Sequence, residues 1–139
     1  MFIKHHSSAG FVHTDIYTLE RFENEKGNIS LLLDPQNHEI WIRKMRLDSK
    51  AIPSSSATIQ ILKTLLDNLG KEIKNSKLPK SSYSQDRNEL QSKIISPLNK
   101  QLKKTLNKEL PVHIHGSIDE FTIILKGLPL SIHVIEKAL

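Results

Sequence analysis

The sequence predicts an α+β fold, with an antiparallel sheet platform at the N-terminal end, helices through the middle and a β-hairpin toward the C-terminal end. Three observations predict it. Between Phe11 and Leu47, β-branched and aromatic residues alternate with polar ones. Leucine and isoleucine then recur at spacings of three and four, first from Ile59 to Leu69 and again from Leu90 to Leu102. Beyond Pro111 the alternation returns on both sides of a turn at residues 116–120.

Residues 1–10, MFIKHHSSAG, read as a flexible lead-in, because Gly10 and the paired serines break any pattern and chain ends fray. His5 and His6 in it are assigned no metal. Residues 11–139 follow as one domain. Residues 11–13 and 15–22 read as strand, with a helix over 15–25 as the competing assignment. Lys26, Gly27 and Asn28 make a turn, and residues 29–33 are apolar without interruption, as in a short buried strand. Asp34-Pro35-Gln36-Asn37 carries turn chemistry, after which residues 38–47 resume the sheet.

Pro53 and the serines at 54–56 signal a helix start with a serine N-cap. Ile59, Leu62, Leu65, Leu66 and Leu69 give that helix its core face, and Gly70 stands where a C-terminal cap belongs. Residues 73–78 suggest a short second helix stopped by Pro79. Residues 81–84 supply a polar turn and a cap for a longer helix over 87–104. Pro97 removes one backbone donor there and crowds the carbonyl of Lys93. The helix must kink, or restart with Ser96 as cap and Pro97 at its first position. Residues 111–115 and 121–125 form the hairpin. Residues 128–139 are amphipathic, with strand and helix both open.

The chain has 139 residues and no cysteine. One domain of this size buries a core without staples. Disulfides, cysteine-ligated zinc and thiol catalysis are excluded, and a cytoplasmic protein is the default expectation. The apolar runs are too short for a membrane span or a signal peptide, so no membrane partner is expected. The formal charge is +5. Its distribution matters more than its sum, because residues 71–108 hold ten Lys and Arg against three acids and leave the rest of the chain slightly acidic. Such a concentration is the electrostatic footprint of a nucleic-acid binder.

The longer helix separates two faces at about 100° per residue. Leu90, Ile94, Leu98 and Leu102 form an apolar spine, and Ser92, Ser96, Asn99, Lys100 and Lys103 point the other way. Lys93 adds to the basic surface. Other chemistry is thin. His113 and His115 share one side of the first hairpin strand and would need a third ligand such as His133. Two histidines in a hairpin are more often surface groups, so no metal and no cofactor is assigned. Asp119 and Glu120 adjoin in a turn, which suits solvation better than acid/base work. No phosphate loop, nucleophile elbow or dinucleotide fingerprint is present, so no enzymatic activity is expected.

Strands, a helix, a short helix, a polar turn, a longer basic helix and a hairpin follow one another in the order of a winged helix-turn-helix preceded by a sheet platform. The segment Ile95-Ser-Pro-Leu-Asn-Lys-Gln-Leu-Lys-Lys104 resembles the end of the recognition helix in the DNA-binding effector domains of OmpR/PhoB-type response regulators. Leu65-Leu66-Asp-Asn-Leu-Gly-Lys-Glu-Ile73 is similar to the first helix and following turn of that family, and residues 29–47 to its platform hairpin. The resemblance implies a transcriptional regulator, dimeric on double-stranded DNA. It would place Ser92, Lys93, Ser96, Asn99, Lys100 and Lys103 toward the major groove or its phosphates. Lysines would supply salt-sensitive affinity, Asn99 and the serines base discrimination. Lys74, Lys77 and Lys80 would flank the backbone. The acidic turn at 116–120 and Pro97 instead fit a winged fold that docks a protein partner without binding DNA.

Overall fold

In the computed structural model, which describes residues 1–137, twelve elements follow in chain order. Strands β1 (Phe2–His6) and β2 (Val12–Ile16) precede a short helix α1 (Leu19–Glu25). Strands β3 (Leu31–Asp34), β4 (Glu39–Ile42) and β5 (Met45–Arg46) come next, then helix α2 (Ser55–Asp67). A two-residue strand β6 (Ile73–Lys74) leads to a long helix α3 over 87–106, and strands β7 (Val112–Gly116), β8 (Phe121–Leu125) and β9 (Ile132–Lys137) end the chain. The architecture is mixed α+β, and no helix among the described residues is long and apolar enough to cross a membrane.

The strands form two sheets, one in the order β2-β1-β9-β3-β4-β5 and one in the order β6-β8-β7. The apolar run expected as a buried strand is β3, in which all four residues are buried. Leu31 and Leu33 face the main core with α2 and α3, whereas Leu32 faces a second cluster of Ile3, Tyr17, Phe22, Ile29 and Ile135 beneath α1. Burial on both faces removes the polar alternation a one-sided strand would show. Asp34 closes β3 with a turn, its carboxylate accepting from the backbone N–H groups of Gln36 and Asn37.

Two expectations about the chain ends are corrected. Residues 2–6 are not a loose lead-in. They form β1, paired antiparallel with β2 on one side and β9 on the other. Ile3 is fully buried, so the apolar face of the segment outweighs the fraying tendency of a terminus. The amphipathic C-terminal segment is a strand in its described part, since β9 lies between β1 and β3 and runs parallel to β3; residues 138 and 139 lie outside the described residues. The platform is therefore neither wholly N-terminal nor wholly antiparallel. Of residues 15–22, the first part extends β2 and the rest turns into α1, capped by the Thr18 hydroxyl, which accepts from the N–H of Arg21.

Helix α2 carries its predicted apolar face at Ile59, Leu62, Leu65 and Leu66, all buried, but it ends at Asp67, so Leu69 lies beyond it and is exposed. Ser54 does not cap it, because its hydroxyl is buried without a partner. Gly70, at φ +78°, turns the chain toward β6 and donates its N–H to Leu125. The expected helix over 73–78 is instead β6 and a single 3-10 turn at Asn75–Lys77. Asn75 explains why so short a strand holds: its buried amide accepts from the N–H of Phe121 and donates to the carbonyl of Asp119, prolonging the pairing with β8.

Helix α3 answers the Pro97 question in a way neither kink nor restart anticipates. The cap is the Asp86 carboxylate, not the serine turn. Residues Leu90–Ile95 form a π-helical turn, in which the N–H of Ser96 reaches back five residues to Gln91. The wide turn admits Pro97, whose missing donor would otherwise break an α-helical ladder. Ser96 stays in helical geometry, and Leu90, Ile94, Leu98 and Leu102 remain on the buried spine. Gly116 (φ +131°) closes the β7–β8 hairpin where a β-carbon would lie 2.6 Å from the Glu120 carbonyl.

Because β1 is an interior strand, a chain beginning at residue 7 is expected to unfold at a clearly lower urea concentration than the full chain. A dispensable lead-in would leave the midpoint unchanged.

Candidate functional site

On the outer side of α3, Ser92, Lys93, Ser96, Lys100 and Lys103 are all exposed and Asn99 is half-buried. Ser96, Asn99, Lys100 and Lys103 line one shallow depression of about 540 Å³, joined by Gln91, Lys104 and Glu109. Among the described residues no ion pair involves Lys93, Lys100, Lys103 or Lys104, so these ammonium groups are uncompensated at short range. Lys93 stands outside the depression. Lys80 lines a different groove, between the start of α2 and the 79–83 turn. Lys77, at the end of the 3-10 turn, is exposed and lines neither. The lysine set is thus split, with a compact part on α3 and a dispersed part ahead of it.

Asn99 is not free to read a base. Its amide donates to the carbonyl of Leu110 at 3.0 Å and accepts from the N–H of the same residue at 2.8 Å. This clamp fixes the chain as it leaves α3, whose last turn is capped by Asn107 in the left-handed conformation. Ser96 is also engaged, its hydroxyl accepting from the Gln91 amide at 2.8 Å. Arg87, at the start of α3, is tied to the hairpin turn: its N–H donates to Ile118 and its guanidinium to Gly116. The turn is drawn back onto the helix and carries Asp119 and Glu120 exposed.

A second cluster lies on the other sheet. His5 on β1 stands opposite His13 on β2 and opposite His133 on β9, so three histidines form a row across adjacent strands. Asp15, two residues beyond His13, points to the same face. One ligating atom from each of His5, His13 and Asp15 lies within 4.8 Å of the others. The carboxylate is 3.6 Å from His5 Nε2 and 3.5 Å from His13 Nε2. The Tyr17 hydroxyl is hydrogen-bonded to His5 Nε2 at 3.3 Å, and the guanidinium of Arg21 covers the Tyr17 ring.

His133 packs behind His5 at 3.7 Å between ring centroids, the two rings tilted by 59°, with Nδ1 buried and unpartnered. Burial first, then the neighbouring His5 and His13, push its pKa down to about 4. His5 is lowered for the same leading reason, burial, followed by His13. His133 does not join His113 and His115, which lie exposed on β7 in the other sheet. The His5–His13–Asp15 set was missed because residues 1–10 were read as unstructured. The signal was present: a hairpin turning about Ser7–Gly10 pairs His5 with His13, and residues 3, 5, 13 and 15 then share one face.

Two predictions follow from this geometry. Asn99→Ala removes both bonds to Leu110 and is expected to cost about 1–3 kcal/mol of folding stability, read from urea denaturation. For His133, the folded-state value lies below the ordinary histidine value of 6.5. The unfolded chain therefore binds more protons between about pH 6.5 and 4, and stability falls as pH falls through that window. Discounted for the solvent that reaches part of the ring, the loss is about 1–2 kcal/mol. His5, His13, Asp15, Arg21 and Glu25 face the same cluster. Thermal melts in chelator between pH 7 and pH 5 should show the decline, and His133→Gln should reduce it.

No protein-family model matches the sequence, and no curated protein or solved structure matches the chain.

Proposed function

We propose that the protein binds double-stranded DNA through the exposed face of α3, in the manner of a winged helix-turn-helix, and acts as a regulator of transcription. The observation that carries the reading is the uncompensated row of Lys93, Lys100, Lys103 and Lys104 on one helix backed by a leucine spine. The surrounding topology supports it. Helix α2, strand β6, helix α3 and the β7–β8 hairpin keep the order of a winged fold, with β8 between β6 and β7, while a 3-10 turn at Asn75–Lys77 stands in place of the short helix ahead of α3. Phosphates near this face would be held by lysines as point charges, which gives affinity that falls steeply with salt.

The engagement of Asn99 shifts base reading away from that residue. Ser92, exposed one turn ahead of Ser96, is the polar side chain of the set left for groove contacts, since the Gln91 amide is spent on the Ser96 hydroxyl. With an acidic hairpin turn tied to Arg87, the wing contributes no basic contact, so the footprint is that of a helix alone. The exposed apolar side chains Phe11, Val12, Ile16 and Leu19 around the edge strand β2 give a second copy a surface to meet, which suits a dimer on DNA. A protein-docking role without DNA is the second reading, favoured by Ile118 standing exposed next to the acidic Asp119 and Glu120 of the hairpin turn.

Titration of random duplex DNA at low and moderate salt tests the proposal. Binding is expected at low salt and should weaken linearly in log–log form, with a slope of about −0.9 per phosphate neutralised. A K100Q/K103Q variant should lower the magnitude of the slope by about 2 and weaken binding uniformly across sequences. Absence of binding by the wild-type chain at both salt concentrations would remove the DNA reading and leave the docking role.

A further inference from the structure

We propose that His5, His13 and Asp15 form a binding site for one divalent transition-metal ion of the zinc class, carried on the β1–β2 hairpin and separate from the α3 surface. The Asp15 carboxylate lies between two imidazoles, 3.6 Å from one and 3.5 Å from the other. Both separations exceed the range of an N–H···O hydrogen bond, roughly 2.7–3.2 Å. They come close to the spacing of donors around a shared ion, because metal–ligand bonds of about 2.0–2.2 Å in a tetrahedron set neighbouring donors roughly 3.3–3.5 Å apart. Small side-chain rotations complete the closure. His13 and Asp15, on the partly exposed edge strand, are free to make them.

The donor set selects the ion. Two imidazole nitrogens and one carboxylate oxygen suit Zn²⁺, Co²⁺, Ni²⁺ or Cu²⁺, whereas Ca²⁺ and Mg²⁺ require mainly oxygen ligands. The backbone holds the donors in register. His5 and His13 are directly paired across the hairpin, and Asp15 is the next same-face residue along β2. His5 is the anchored member, packed against His133 on one side and touched by Tyr17 on the other. Coordination through its Nε2 displaces the hydrogen bond with the Tyr17 hydroxyl, which is then placed beside the ion's outer shell. Three protein ligands leave a fourth position on the His13 side, where that side chain is 54% exposed, open to water or to an external donor. The ion would pin the edge strand β2 to the sheet.

The full chain, stripped with chelator, is titrated with Zn²⁺ by calorimetry and with Co²⁺ by visible absorption. One equivalent is expected, with the absorption of tetrahedral Co²⁺ and a raised thermal midpoint on adding Zn²⁺. D15N and H13Q are each expected to weaken binding more than about 100-fold, beyond the 10–100-fold typical of outer-shell changes. An H113Q/H115Q variant should bind as the wild type does. Failure of the wild-type chain to bind either ion overturns the proposal. So does binding that survives both D15N and H13Q, or that is lost in H113Q/H115Q. Since H13Q and D15N alter partly exposed positions on an edge strand, either one alone decides the question if the other does not fold.

Discussion

The placement of β9 between β1 and β3 is the constraint from which the rest of the molecule follows. The last of the described strands supplies hydrogen bonds to β1 and β3, the first and third in chain order, so the front sheet is incomplete until β9 is in place. Ile132 and Val134 point into the core shared with α2 and α3, while Ile135 points to the smaller cluster beneath α1. One strand thereby couples both faces of the six-stranded sheet and ties them to the helices. Contacts of such long sequence separation carry a loop-closure cost that local helices do not, and folding of this domain is correspondingly expected to be limited by sheet assembly.

The same strand divides the molecule's chemistry. His133 comes with it to lie against His5, and without that delivery the histidine row would be a two-stranded hairpin open on one side. The basic surface depends on β9 less directly, through the leucines of α3 that share its core. Electrostatics separate the two regions as well. The lysines of α3 sit in solvent, whereas His5 and His133 are partly desolvated, and burial lowers the pKa of both.

Periodicity made the helices and the hairpin legible, since Ile59 to Leu66 and Leu90 to Leu102 bury the residues their spacing selects. The uninterrupted apolar run of β3 was equally plain. What escaped was decided by partners remote in sequence. MFIKHH looks like a frayed end until β9 is beside it, and residues 73–78 look helical until β8 recruits Ile73 and Asn75. The basic face of α3 was readable as a pattern of side-chain types. The engagement of Asn99 was not, because its partner is a backbone group eleven residues away with no signature in side-chain chemistry. The His5–His13–Asp15 trio needed the register of the hairpin about Ser7–Gly10, which reading residues 1–10 as a lead-in set aside.

The π-helical turn in α3 has a consequence for how the helix tolerates change in length. It holds one more residue than an α-helical segment covering the same rise, and so behaves as a stored insertion. Excision of a single residue from the stretch 91–93 would let that turn rewind as α-helix, and because the wide turn takes up its extra residue locally, the residues upstream would keep nearly their present azimuth relative to Lys100 and Lys103. Arg87 would then keep its place against the hairpin turn. The azimuth of the basic face against the hairpin is therefore buffered against the loss of one residue, which the wide turn ahead of Pro97 absorbs.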